Sequence, residues 1–225
     1  MSPSTLTERL TARRPILTVI VCSLSSYAVL VFVHRSALVG SNPRDYWTTS
    51  VLVAFLAGIT YTHFFEYAYH RLLMHGGAWG PGFIKKNHLE HHRVFYGDNF
   101  TSRSRDDWQY ISSPWYVFPG LLTIHYLALR GFVRTETLLA FFGGVLLHYL
   151  VFECTHWLTH VRDNAVDRWI GGVPALGRLR RYHIRHHRHH HEIPTVDFNF
   201  NPPFLGDVVF RTLDVPAEGQ GPYSR

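Results

Sequence analysis

Four stretches of the chain, Pro15 to Val33, Trp47 to Phe65, Pro114 to Leu129 and Leu138 to Phe152, contain no Asp, Glu, Lys or Arg and are rich in apolar side chains. A lipid-exposed backbone must satisfy its own hydrogen bonds, so stretches of this kind fold as helices. The first two have 19 residues each, close to the ~20 that cross a hydrocarbon core, and the others are shorter at 16 and 15. The pattern predicts an all-α, integral-membrane bundle of about four transmembrane helices. No internal repeat divides the 225 residues, and the chain reads as one unit.

The net charge of +6 is explained by topology. No nucleic-acid motif accompanies it, and the basic residues do not alternate with aromatics along a stripe, so no nucleic-acid partner is expected. With four crossings, the two loops on one side hold only Arg35, Arg44, Arg130 and Arg134 of the 22 Lys and Arg. The opposite side, with both termini, is therefore expected to be cytoplasmic. Residues 1–49 read as an N-terminal cytoplasmic segment, a first transmembrane helix and an outer loop. Ser-Ser-Tyr interrupts the first apolar stretch and no small-residue cleavage site follows it, so it reads as a retained anchor. Cys22 and Cys154 lie in apolar surroundings without paired spacing, which points to packing and away from a disulfide or thiolate site.

Histidine is the anomaly: 17 of them, about three times ordinary usage. They gather where apolar stretches end on the expected cytoplasmic side. The second stretch runs into FEYAYHRLLMH, which holds His70 and His75, and NHLEHH follows with His88, His91 and His92. The fourth runs into ECTHWLTH, with His156 and His160, and YHIRHH follows with His183, His186 and His187. Helical residues at i, i+3 and i+4 share a face, so each H-x2-H-H triplet and the H-x3-H pair can aim imidazoles at a common centre. His70 and His75 break this rule, because five residues leave them ~140° apart on an ideal helix. Gly76 and Gly77 supply a helix end that lets His75 swing inward.

Ten imidazoles in two similar half-sites suffice for two metal ions of about five ligands each, with an open position. Imidazole accepts iron, zinc, copper and nickel, so ligand type alone does not choose among them. A structural zinc site uses four ligands, commonly with thiolate, and has no use for ten histidines. Glu66, Glu153, Asp163, Glu192, Asp197 and Asn201 lie near the motifs and are candidates to fix the ligand tautomers. His34, His63, His125 and His148 read as ordinary packed or surface residues. His189, His190 and His191 extend the last motif and read as a solvated run, although His190 keeps helical spacing from His186 and His187. Trp79, Trp108, Trp115, Trp157 and Trp169 read mainly as interfacial anchors.

These motifs in this order resemble the fatty acid hydroxylase and sterol desaturase superfamily. EYAYHRLLMH, ECTHWLTH, YHIRHHRHHH and DFNFNPPFLGDVVFRTL are similar to tracts of the fatty acid 2-hydroxylases. The resemblance covers residues 50–214 as one di-metal domain and leaves 215–225 as a tail. It implies that His70, His75, His88, His91, His92, His156, His160, His183, His186 and His187 ligate two iron ions, for which zinc can substitute after purification. It also implies a four-crossing bundle with a cytosolic catalytic cap, O2 as co-substrate and hydroxylation of a fatty acyl lipid. No cytochrome b5-like segment of the kind some relatives carry is found, so a separate electron donor, a ferredoxin or a cytochrome b5-like protein, is expected. HRLLMHG is also similar to the first motif of the carotenoid hydroxylases, so a carotenoid or sterol hydroxylase or desaturase is the alternative. A histidine-rich membrane transporter or metal sensor is the non-enzyme alternative; it calls for ligands near the bilayer midplane.

Overall fold

The computed structural model describes residues 15–35, 49–76 and 82–215. Among these every regular element is helical. In chain order they are α1 (Pro15–Val33), α2 (Thr49–Ala68) continued by a π turn (Tyr69–Met74), α3 (Gly82–Val94), two 3-10 turns (Gly97–Asn99 and Arg105–Tyr110), α4 (Val117–Leu129), α5 (Thr135–His160), α6 (Ala165–Gly172), α7 (Pro174–Glu192) and α8 (Leu205–Phe210). Among the described residues three spans, Pro15–Val33, Thr49–Met74 and Thr135–His160, are long and apolar enough to cross a membrane. The third apolar stretch forms a helix of 13 residues, so the exact count of four is not confirmed among the described residues. The fourth stretch is longer than its apolar run, since the helix continues through Glu153 to His160 and reaches 26 residues.

The chain divides into two compact units, Met1–Thr62 with Ser112–Glu153, and His63–Ile111 with Cys154–Arg225. In the first, Leu30, Phe118, Leu122, Leu138, Leu139, Phe142 and Leu146 form the core. Lipid tails are as apolar as leucine, so these contacts stabilise by close packing and not by transfer from water. The tightest approach is reciprocal. A Cβ at Gly58 would lie 2.1 Å from the Phe141 carbonyl oxygen, and one at Gly144 would lie 2.1 Å from that of Phe55. Small residues here bring the α2 and α5 backbones together. Two polar side chains of α1 bond to backbone carbonyls: Ser26 Oγ donates to that of Cys22 at 2.7 Å and Tyr27 OH to that of Leu139 at 3.0 Å. Cys22 and Cys154 are not joined in a disulfide.

The second unit carries the histidines. α6 starts at Asn164, whose side chain accepts the Asp167 N–H at 3.0 Å. The Asp167 carboxylate takes the Asp163 N–H at 2.9 Å and Arg180 Nε at 2.5 Å. Burial raises the Asp167 pKa, but the Asp163 N–H and Arg180 outweigh it and hold the group below its ordinary value. Arg180 also donates to the Leu158 carbonyl at 2.9 Å, which ties the start of α7 to the end of α5. Pro174 sits in the first turn of α7, where its missing N–H and fixed φ suit a helix start.

Candidate metal centre

Two groups of imidazoles converge in this second unit. His70, His75, His88, His92 and His190 form the first, and His91, His160, His187 and His191 the second. In the first, Nε2 atoms stand 3.0 Å apart between His70 and His88, 2.8 Å between His88 and His75, 3.0 Å between His92 and His88 and 3.0 Å between His75 and His190. In the second, the separations are 3.0 Å for His91 and His191, 3.1 Å for His191 and His187 and 3.0 Å for His160 and His187. The groups adjoin, with the His92 ring stacked on His191 at 4.2 Å between centroids.

Consecutive residues divide between them. His92 and His190 serve the first group while His91 and His191 serve the second, because adjacent residues on a helix point ~100° apart. α3 and α7 thus each face both groups. The π turn resolves the spacing of His70 and His75. The His75 N–H reaches back five residues to the His70 carbonyl at 3.0 Å, so the extra residue is absorbed in one widened turn and the rings come to 5.0 Å. Gly76 follows where a Cβ would lie 2.0 Å from the Leu72 carbonyl oxygen. Gly77, the other half of the expected helix end, lies outside the described residues, as does Trp79.

The last motif is read one turn further along than its first H-x2-H-H suggests. That spacing occurs three times, at His183, His186, His187, at His186, His189, His190 and at His187, His190, His191, and the groups take the last. His190 and His191 are 0% and 3% exposed and are no solvated run. His183 lies outside both groups, packed on Phe200 at 4.3 Å between ring centroids. His186 points elsewhere, with Nε2 3.6 Å from Asp197 and 3.8 Å from Asp207. His156 flanks the second group, its Nε2 3.2 Å from that of His91. His34 pairs with Tyr126 OH at 2.8 Å, and His125 with the Leu121 carbonyl at 2.7 Å and Tyr61 OH at 2.7 Å. Neither these nor His63 and His148 belong to either group.

The donor atoms fit a cation. Nδ1–H of His70 donates to the Phe198 carbonyl at 2.5 Å, that of His190 to Val196 at 2.6 Å, that of His91 to Tyr110 at 2.9 Å and that of His160 to Phe100 at 2.7 Å. A carbonyl only accepts, so the proton sits on Nδ1 and a lone pair remains on Nε2. Lone pairs facing one another near 3.0 Å repel unless a cation lies between them. Donors ~2.1 Å from one ion at octahedral angles stand ~3.0 Å apart, which is the spacing found. Burial, reinforced by the charge neighbouring histidines would carry, holds the pKa values of His88, His91, His92, His187, His190 and His191 well below their ordinary range. Burial, then Lys85, brings His75 down to about 4. The imidazoles are therefore neutral and ready to ligate.

Backbone carbonyls, and not the carboxylates near the motifs, orient these four rings. Glu66 accepts the Phe200 N–H, Glu153 that of Ser113 at 3.3 Å, and Asn201 the Thr155 hydroxyl at 3.1 Å. Glu192 pairs with Arg188 at 3.8 Å, and Asp163 takes up a left-handed turn residue. Asp197 accepts from His189 Nδ1 at 2.7 Å. The sequence also gave no sign of the phenylalanines that line the groups. Phe95, Phe100, Phe198 and Phe200 are nearly fully buried, and their centroids lie 4.3 to 5.8 Å from His160, His187 and His70. The described tryptophans stay outside this shell: Trp108 and Trp157 meet edge to face at 5.4 Å, while Trp115 and Trp169 are exposed.

The described residues are all-helical, with membrane-length helices and clustered histidines, and the fold is that of a solved hydroxylase domain. The chain is similar to the solved structure of full-length scs7p, in which only the hydroxylase domain is visible. The match has 20% identity and a TM-score of 0.57, and covers 93% of this chain and 70% of that one. No family model and no curated protein sequence matches the chain.

Proposed function

We propose that the protein is a membrane-bound di-iron oxygenase that hydroxylates a C–H bond of a fatty acyl lipid, using O2 and electrons from a separate donor. The observation that carries this reading is the pair of adjoining, all-histidine groups, the first of five largely half-buried residues and the second of four buried ones, in a fold shared with a hydroxylase domain. Two irons held there would supply the O2 reduction that an unactivated C–H bond requires. The chain's own share is positional. His70, His75, His88, His92 and His190 would hold one ion, and His91, His160, His187 and His191 the other, with His156 beside the second. The backbone carbonyls of Phe198, Val196, Tyr110 and Phe100 keep four of these rings in the Nε2-ligating tautomer. The phenylalanine shell keeps bulk water from the reacting atoms and lowers the local dielectric.

Transport is the weaker reading, because His160 ends one membrane-length helix and His70 lies in the last turn of another, away from the middle of a crossing. The test is mass spectrometry of lipids from a host expressing the protein or His187→Ala. Acyl species heavier by one oxygen atom should accumulate only with the unaltered chain. Identical lipid profiles under aerobic growth with a competent electron donor would overturn the reading.

A further inference from the structure

Group one depends on two carbonyls from one short segment, those of Phe198 and Val196, and the way this segment is held singles out a residue that belongs to neither group. We propose that Asp207, with Asn199 and Thr212, is a positioning residue that aims both carbonyls at His70 and His190. The proposal rests on the metal-centre reading and deepens it.

A peptide unit is planar, so fixing its N–H fixes the direction of its C=O. The unit carrying the Phe198 carbonyl presents its N–H, that of Asn199, to Asp207 Oδ2 at 2.6 Å. The preceding N–H, that of Phe198, goes to Asp207 Oδ1 at 2.8 Å. The unit carrying the Val196 carbonyl presents its N–H, that of Asp197, to the Thr212 carbonyl at 2.8 Å. Thr212 is itself held by Asp207, through its hydroxyl to Oδ1 at 2.7 Å and its N–H to the Asp207 carbonyl at 2.8 Å. One carboxylate thus governs both peptide planes.

Asn199 closes the arrangement. Its Oδ1 accepts the Gly206 and Asp207 N–H groups at 2.6 and 3.2 Å, and its Nδ2 donates to the His63 carbonyl at 2.7 Å. Gly206 leaves the room for this contact, since a Cβ there would lie 2.6 Å from Asn199 Oδ1 and 2.5 Å from the Tyr67 ring. Asp197, Asn199 and Asp207 are all within 2% of full burial, so no water replaces a lost partner. Group two is outside the clamp, because His91 and His160 take their carbonyls from Tyr110 and Phe100.

The test is a chelator titration of the full-length protein loaded with cobalt(II), with the visible spectrum recorded at each step. His70→Ala identifies which step belongs to group one. Asp207→Asn replaces one acceptor oxygen by an N–H donor that faces backbone donors. It should ease release from group one by about 10- to 100-fold and leave the affinity and spectrum of group two unchanged. Thr212→Val, which removes one hydroxyl and leaves the carboxylate, should shift the same step by less and decides the matter if Asp207→Asn does not fold. Unchanged release from group one, or equal easing of both steps, would overturn the clamp alone. A wild-type protein that binds no cobalt would overturn the metal centre and the clamp with it.

Discussion

His190 and His183 exchange the roles that a first reading of the last motif assigns to them, and alanine at each position measures the difference. His190 lies at the heart of group one, with Nε2 3.0 Å from that of His75 and Nδ1 bonded to Val196. His183 packs on Phe200 outside both groups. Four-ligand structural zinc sites contribute about 10–16 kcal/mol, or about 3 kcal/mol for each ligand. At ~1.36 kcal/mol per tenfold change, His190→Ala should weaken the affected ion about 100-fold. It also leaves the half-buried Val196 carbonyl without its donor, at about 0.5–1.5 kcal/mol of fold stability. His183→Ala removes no donor and should change metal affinity by less than about threefold, under ~0.7 kcal/mol. Both variants, purified anaerobically with ferrous iron, are titrated against a chelator while the iron per chain is counted. A reversed ranking, with His183→Ala losing an ion and His190→Ala keeping both, would refute the frame in which α7 presents its histidines.

Two further outcomes follow from the packing and from the protonation chemistry. Gly144→Val puts side-chain atoms where the Phe55 carbonyl stands; overpacking of this kind costs about 1–3 kcal/mol and should lower the melting temperature in detergent, whereas Gly120→Ala, with open space around its Cβ position, should not. The metal-free protein should lose stability on acidification, because His75, His88, His91, His92, His187, His190 and His191 resist protonation when folded and accept it near pH 6.5 when unfolded. The unfolded chain then binds more protons, so each such imidazole makes folding about 1.4 kcal/mol less favourable one pH unit below 6.5 and has no effect well above it. Melting temperatures that stay level from pH 7.5 to 5.5 would contradict this burial.

The membrane character and the histidine pattern were legible because both rest on local rules. An uncharged run of 19 residues has few alternatives to a helix, and α1 occupies Pro15–Val33 as expected. The shortfall at α4 and the length of α5 were not legible, since an apolar run does not report where the helix around it starts and stops, and the carboxylate of Glu153 ended the run without ending the helix. Spacing identified sets of histidines that share a face but not which set faces the site. Around His187 three overlapping H-x2-H-H repeats satisfy the same rule, and only tertiary packing selects the last. The conflict between His70 and His75 was visible in the sequence, but its solution, a π turn, is a backbone choice. The carbonyls of Phe198, Val196, Tyr110 and Phe100 left no trace in the sequence at all, because any residue carries one.

The most direct test of the central claim is the metal content of the protein purified anaerobically with ferrous iron, followed by addition of reductant, O2 and a total lipid extract. The account predicts two irons per chain, one for each histidine group, and a lipid product heavier by one oxygen atom that disappears in His187→Ala. A single tightly held zinc, with no product that depends on O2, would contradict it.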